Sequence, residues 1–212
     1  MVAHEYAHGY AALKQGDRTA YDLGRLTWNP VKHIDPFLTI ILPLLTFFAR
    51  GLVFGGAKPV PVNPRNYRNF KRGDIIVSLA GVATNLVLAV VLTGIVALLG
   101  AIGRVVPSAT NTLSILQQMG QFGVFFNLIL VFFNLIPIPP LDGSHVMKYL
   151  LPPAWALHYQ RIGGYGMFIL IALLTFGQPV LETWMVPMRF LFATSQRVVA
   201  PLLLPATWSS PL

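Results

Sequence analysis

Hydrophobic positions along this chain fall into long runs rather than short alternating ones. Three stretches contain no charged residue: 75–103 (29 residues), 105–141 (37) and 162–181 (20). About 20 apolar residues cross a bilayer as a helix, so each run is long enough, and spans are expected at 75–102, near 121–138 and near 163–181. Residues 2–15 (VAHEYAHGYAALKQ) read as a helix rich in Ala and Leu, stopped by Gly16. At a rise of about 1.5 Å per residue that helix is too short to span. In residues 18–29, Tyr21 precedes an Asp-Leu-Gly turn, and Leu26 and Trp28 alternate with Arg25 and Thr27, which predicts a β-hairpin. Segment 36–54 is apolar but interrupted by Pro43 and Arg50, a pattern suited to a re-entrant or interfacial element. Three prolines within 58–64 require extended chain, confined to an edge if it joins a sheet. The segment 188–204 predicts a short amphipathic helix at the interface.

Composition sharpens this picture. Only 10% of residues are charged, against about 25% in a soluble domain, which excludes a small soluble enzyme. The net charge of +8 comes from 15 Lys and Arg against 7 Asp and Glu. The basic residues sit between hydrophobic runs, where positive charge orients a membrane protein, and form no stripe suited to nucleic acid. There is no cysteine, so disulfides and thiolate metal sites are excluded and any metal must be held by His and carboxylate. The chain opens Met-Val-Ala-His-Glu without a basic or apolar leader pattern, so no cleavable signal is expected.

The candidate chemistry begins with His4-Glu5-Tyr6-Ala7-His8. On a helix, positions i and i+4 share a face, so both imidazoles can reach one metal ion. The adjacent Glu5 can then serve as general base toward a metal-bound water. Two histidines leave a catalytic zinc one protein ligand short. Between residues 75 and 181 the only acidic residue is Asp142, at the end of a long apolar run. A carboxylate there is costly unless paired or bound to a cation, which makes Asp142 the candidate third ligand; the alternative is a helix-terminal Asp at the membrane surface. Asp17, Asp22, Asp35, Asp74 and Glu182 fall in polar or turn settings and call for no special account. His145 is read as a surface residue, a second-shell partner of the ligands or a competing ligand. His33 is read as structural and His158 as lying in a loop.

With these residues in hand, the chain resembles the site-2 protease family of intramembrane zinc metalloproteases, in its compact bacterial or plastid-type form. The resemblance rests on HEYAH at 4–8 and on Asn134-Leu-Ile-Pro-Ile-Pro-Pro-Leu-Asp142-Gly143. It extends through GRLTWNPVKHIDP (24–36), GGAKPVPVNP (55–64) and SLAGVATN (78–85), and covers roughly residues 1–145. It implies one Zn2+ per chain held by His4, His8 and Asp142, with Glu5 as catalytic base. It also implies that Asn134, and Asn85 of the family's G-P-x-x-N motif, position substrate. Amide donors inside an apolar helix can bind a peptide carbonyl or developing oxyanion; interhelical hydrogen bonding is the other reading. Two departures stand out. Val82 takes the place of the motif's Pro, and only three residues precede His4, where the family carries most of a helix.

The resulting expectation is an all-α polytopic membrane protein with a three-helix catalytic core, additional helices and a small membrane-associated β-hairpin or sheet. It forms one integral domain over 1–212 (core 1–145, C-terminal helices 146–212) without a PDZ or other soluble module. Its activity would be zinc-dependent endopeptidase cleavage within or near transmembrane segments of other proteins. If 36–54 does not cross, 12 Lys and Arg fall on one side and 3 on the other, placing the metal near the cytoplasmic face of a bacterial inner membrane. The partners are then a transmembrane protein substrate and the lipid bilayer, with no nucleic acid. A catalytically inactive zinc-binding scaffold is the alternative; a metal transporter fits less well, because spans 75–103 and 105–141 carry no charge.

Overall fold

The computed structural model describes residues 1–50 and 55–205. These residues are predominantly helical and include no strand. The helices are α1 (Val2–Gln15), α2 (Thr19–Asp22), α3 (Leu42–Arg50), α4 (Phe70–Val105), α5 (Thr110–Asn134), α6 (Asp142–Leu150), α7 (Pro153–Ile162), α8 (Gly166–Phe176), α9 (Gln178–Trp184) and α10 (Val186–Val199). Among the described residues, three helical stretches are long and apolar enough to cross a membrane: Phe70–Val105, Pro107–Asn134 and Pro153–Phe176. The second lies earlier than the run near 121–138, because Pro137, Pro139 and Pro140 cannot continue a helix. The third starts earlier because Pro153 opens α7, which places His158 in a helix rather than a loop.

The expected β-hairpin at 18–29 is absent. Local hydrogen bonding wins over strand alternation here. The Asp17 carboxylate accepts the Thr19 N–H at 3.1 Å and starts a helical turn, and the Ala20 carbonyl accepts the N–H groups of Arg25 (2.9 Å) and Leu26 (3.2 Å). Residues 58–63 form no helix, in keeping with the three prolines of 58–64, and among the described residues no strand pairs with them. Their free donors point inward: the Lys58 N–H bonds the His33 carbonyl at 2.8 Å, and the Asn63 N–H bonds Asp17 Oδ2 at 2.6 Å. Prolines 59 and 61 have no N–H to offer. The strap is therefore sewn to the protein and is not a vacant sheet edge.

Segment 36–50 is helical throughout, opening with a wide π-helical turn over Pro36–Ile41; its expected continuation over 51–54 lies outside the described residues. The Gly56 N–H donates to the Leu38 carbonyl at 2.9 Å, and the Thr39 hydroxyl donates to the Gly56 carbonyl at 2.8 Å. These bonds hold residue 56 against the start of the segment.

The chain packs as two units, residues 1–84 with 142–164 and residues 85–141 with 165–212. The first has a small core of Ala12, Tyr67 and Val77. Gly16 ends α1 at φ 112, a left-handed conformation suited to glycine. The second unit is built on Ala89, Val124, Leu128 and Met188, ringed by Leu92, Phe125 and Phe192. The helix expected near 188–204 is present as α10, over Val186–Val199, and its Phe192 ring meets Phe125 edge-on with centroids 5.3 Å apart. Leu86, Val87, Val90, Val91 and Leu98 of α4 are exposed, the surface a helix offers to lipid. α4 runs uninterrupted through Val82, where the family motif carries Pro.

Candidate metal centre

All members of the central cluster belong to the first unit. His4 and His8 lie one helical turn apart on α1, and their Nε2 atoms are 2.9 Å apart. Asp142, the first residue of α6, brings Oδ2 to 3.2 Å from His4 Nε2 and 3.4 Å from His8 Nε2. Among the described residues, these three form a group able to hold a metal ion. The fit can be tested on spacing. A tetrahedral zinc with ligands at about 2.0–2.1 Å sets its donors about 3.3 Å apart, close to the three separations found.

Three further contacts define the place. His8 Nδ1 lies 2.7 Å from the Val77 carbonyl of α4. A carbonyl only accepts, so Nδ1 carries the proton and the Nε2 lone pair is left for a cation, the arrangement that orients metal-binding imidazoles. Asp142 Oδ2 is buried, and the groups that face it are the two imidazoles, as suits an oxygen that shares a cation with them. One turn beyond Val77, Gly81 faces the cluster: a Cβ there would sit 2.5 Å from His8 Nε2 and 2.6 Å from His4 Nε2. Glycine keeps the space in front of both nitrogens empty of side chain.

Electrostatics follow the geometry. Burial pushes the Asp142 carboxyl up, but the facing His4 and His8 imidazoles outweigh it and hold the group down at about 2. Burial works against a charged His8, and the Asp142 carboxylate overcomes this and raises its pKa. The site thus keeps a carboxylate ionised beside imidazoles inside an apolar protein, a donor set matched to a divalent cation.

Glu5 lies beside His4 in the first turn of α1, and its Oε2 accepts the Val60 N–H of the proline strap at 2.8 Å. The strap reaches α1 because Gly9 leaves room: a Cβ there would meet Val60 Cγ1 at 2.9 Å. The two candidate asparagines belong to the second unit. Asn85 is fully buried, and Asn134 Nδ2 donates to the Leu130 carbonyl of its own helix at 2.9 Å. His33 is buried, with Nε2 2.9 Å from the Thr27 carbonyl, in keeping with a structural role.

Sequence reasoning missed Val60, Val77, Gly81 and Asp74. The first two act through backbone atoms, which residue identity does not advertise. Gly81 lies within the SLAGVATN segment, but its reason appears only once the imidazoles stand against it. Asp74, read as a residue in a polar setting, is buried at 2% exposure. His145, read as a surface residue, a second-shell partner or a competing ligand, has its ring half-exposed and places Nδ1 3.2 Å from Asp74 Oδ1.

Comparison with known proteins supplies the family. The model of peptidase family M50 matches residues 100–176, which include Asp142. "Putative zinc metalloprotease YwhC" of Bacillus subtilis is 38% identical over 173 residues, 82% of this chain and 75% of that protein. "Putative zinc metalloprotease Rip2" of Mycolicibacterium smegmatis is 32% identical over 192 residues, 91% of this chain and 69% of its own. "Putative zinc metalloprotease MJ0611" of Methanocaldococcus jannaschii is 34% identical over 131 residues, 60% and 61% of the two chains. No solved structure matches the chain. Similarity at this level over most of two relatives' length places the chain in peptidase family M50, the site-2 protease family, and makes it a metalloendopeptidase.

Proposed function

We propose that this chain is a zinc-dependent intramembrane endopeptidase, with one zinc held by His4, His8 and Asp142 and with Glu5 as general base. The observation that carries the reading is the meeting of three donor atoms, 2.9–3.4 Å apart, in front of a glycine. When bound, zinc supplies Lewis acidity at the scissile carbonyl and lowers the pKa of the attacking water. The chain's own residues do the rest. The Val77 carbonyl keeps the His8 ring in the tautomer whose Nε2 is a donor to metal. The Val60 N–H grips one Glu5 oxygen, and the other takes the proton from water and returns it to the leaving amine. Asn134, which spends one amide hydrogen on the Leu130 carbonyl, and Asn85 are the candidates for positioning substrate, the role that the family resemblance implies for them.

The substrate class is a transmembrane segment of another protein, unwound at the cleavage site because an intact helix hides its carbonyls in internal hydrogen bonds. The single domain 1–212, with its catalytic core over 1–145, lies in a bacterial inner membrane with the zinc near the cytoplasmic face. The return of residues 55–56 onto Leu38 and Thr39 supports that topology, since it keeps the two largest basic loops on one side.

Glu5→Gln tests the mechanism in the purified chain. The expected result is zinc at the unsubstituted level and loss of cleavage of a model transmembrane substrate by about 1,000-fold or more. Full activity would overturn the mechanism, and zinc without cleavage in the unsubstituted protein is the signature of a scaffold.

A further inference from the structure

A second polar cluster lies in the first unit. The buried Asp74 side chain of α4 is 3% exposed. Its Oδ2 lies 2.5 Å from Lys148 Nζ and accepts the Tyr149 hydroxyl at 2.9 Å, while Oδ1 lies 3.2 Å from His145 Nδ1. All three partners belong to α6, whose first residue is Asp142. One carboxylate thus grips two turns of one short helix through both of its oxygens.

The register of the contacts is informative. On α4, Asp74, Val77 and Gly81 stand at i, i+3 and i+7, one face of a helix. Asp74 holds α6, Val77 holds His8, and Gly81 clears space before the imidazoles. On α6, Asp142, His145 and Tyr149 repeat the same spacing. A nine-residue helix has little stability of its own, so its rotation and height depend on such anchors. Metal sites tolerate only about 0.2 Å in ligand distance, and a small turn of α6 would carry Asp142 out of reach. Burial and the facing Asp74 push the Tyr149 phenol well up, which keeps it a proton donor.

We propose that Asp74 is a positioning residue for the metal centre: by clamping His145, Lys148 and Tyr149 it fixes α6 so that the Asp142 carboxylate faces His4 and His8. This role rests on the metal-centre reading above. Removing such outer partners typically costs about 10–100-fold in metal affinity.

The test uses the full chain in lipid nanodiscs, titrated with Zn2+ against a chromophoric chelator and with Co2+ for its visible spectrum. Asp74→Asn should weaken zinc by about tenfold or more and alter the cobalt bands. Asp17→Asn is the control: Asp17 is an equally buried carboxylate of the same unit, bonded to Thr19, Asn63 and Asn66 rather than to α6. It should leave both readouts unchanged. Should Asp74→Asn not fold, Tyr149→Phe deletes a single hydroxyl and should give the same spectral change with about threefold weaker zinc. Unchanged zinc affinity and cobalt spectrum in Asp74→Asn, or in Tyr149→Phe where only that variant folds, would overturn the positioning role. So would an equal loss in Asp17→Asn, because that reports general loosening. An unsubstituted chain whose zinc binding does not depend on His4 and Asp142 would instead overturn the metal-centre reading, and this inference with it.

Discussion

In the first unit, Asp17, Asp74 and Asp142 are each met by groups from distant parts of the chain: the strap for Asp17, α6 for Asp74 and α1 for Asp142. In the second unit the buried polar side chains are neutral, namely Asn85, Ser114 and Gln117. Helices there approach through small residues instead: a Cβ on Gly120 would meet Val96 Cγ2 at 2.5 Å, and one on Gly123 would meet Leu92 Cδ1 at 2.9 Å. Burying charge is costly unless every charge is paired, and the first unit bears that cost where atoms must hold fixed positions. The second unit needs only to keep helices together, and close van der Waals packing suffices for that in lipid.

The same substitution placed in both units breaks or sharpens this contrast, and the larger response belongs to the first. Gly81→Ala would put a methyl group within 2.6 Å of both Nε2 atoms, which rotamer changes cannot relieve without moving the imidazoles. The expected result is loss of zinc affinity by about 100-fold or more, since metal–ligand distances tolerate only a few tenths of an ångström. Chelator competition measures it. Zinc affinity unchanged in Gly81→Ala would mean that this glycine does not shape the site.

Asp17 gives the next effect and carries a pH signature. Burial pushes its carboxyl up, but the bonds from the Asn63 N–H, from Thr19 and from the Asn66 amide outweigh burial and hold its pKa below the ordinary 3.8. A carboxyl depressed on folding adds stability above its unfolded pKa, and that stability is lost as pH falls through the folded value. Asp17→Asn should therefore cost about 2 kcal/mol at neutral pH, the scale of hydrogen bonds to a charged group. The deficit should shrink as the unsubstituted protein is acidified below 3.8. Thermal unfolding in detergent across pH reads the difference; a deficit constant down to strong acid would contradict it.

The contrast also explains what could be read from the chain alone. The apolar runs and the HEYAH spacing are local patterns, so three spanning helices, the α1 stop at Gly16 and the histidine pair were legible. Asp142 was legible through scarcity, as the lone acid between residues 75 and 181. The hairpin was misread because alternation at 25–28 says nothing of Asp17, whose carboxylate captures the Thr19 N–H and starts a helical turn instead. Asp74 was missed for a related reason. Its sequence neighbours Lys71 and Arg72 are polar, and its burial arises from residues more than 70 positions away. Backbone donors and acceptors such as Val60 and Val77 leave no trace in composition at all.

In the second unit, Gln117 is the polar exception that sharpens the comparison. Its Nε2 donates to the carbonyls of Val96 (2.9 Å) and Leu202 (3.1 Å), and its Oε1 accepts the Leu204 N–H at 3.0 Å. Gln117→Leu removes all three bonds and leaves the Leu204 N–H without this partner. Hydrogen bonds between membrane helices average about 0.6 kcal/mol each, so a cost of about 1–2 kcal/mol is expected, with zinc affinity unmoved. A fall in zinc binding would show that the two units are coupled more tightly than their separate chemistries imply.

The smallest effect should come from Gly123→Ala. The new methyl group would press on Leu92 Cδ1, the far end of a flexible side chain, and not on backbone or on a metal ligand. Leu92 can change rotamer for about 1 kcal/mol or less, while alanine favours the helix over glycine by about 0.8–1.0 kcal/mol. The two terms nearly cancel, so the unfolding midpoint should stay within about 2 °C of the unsubstituted protein. A drop as large as that of Asp17→Asn would show that helix contact in the second unit is as exacting as polar geometry in the first, and the distinction between them would fall.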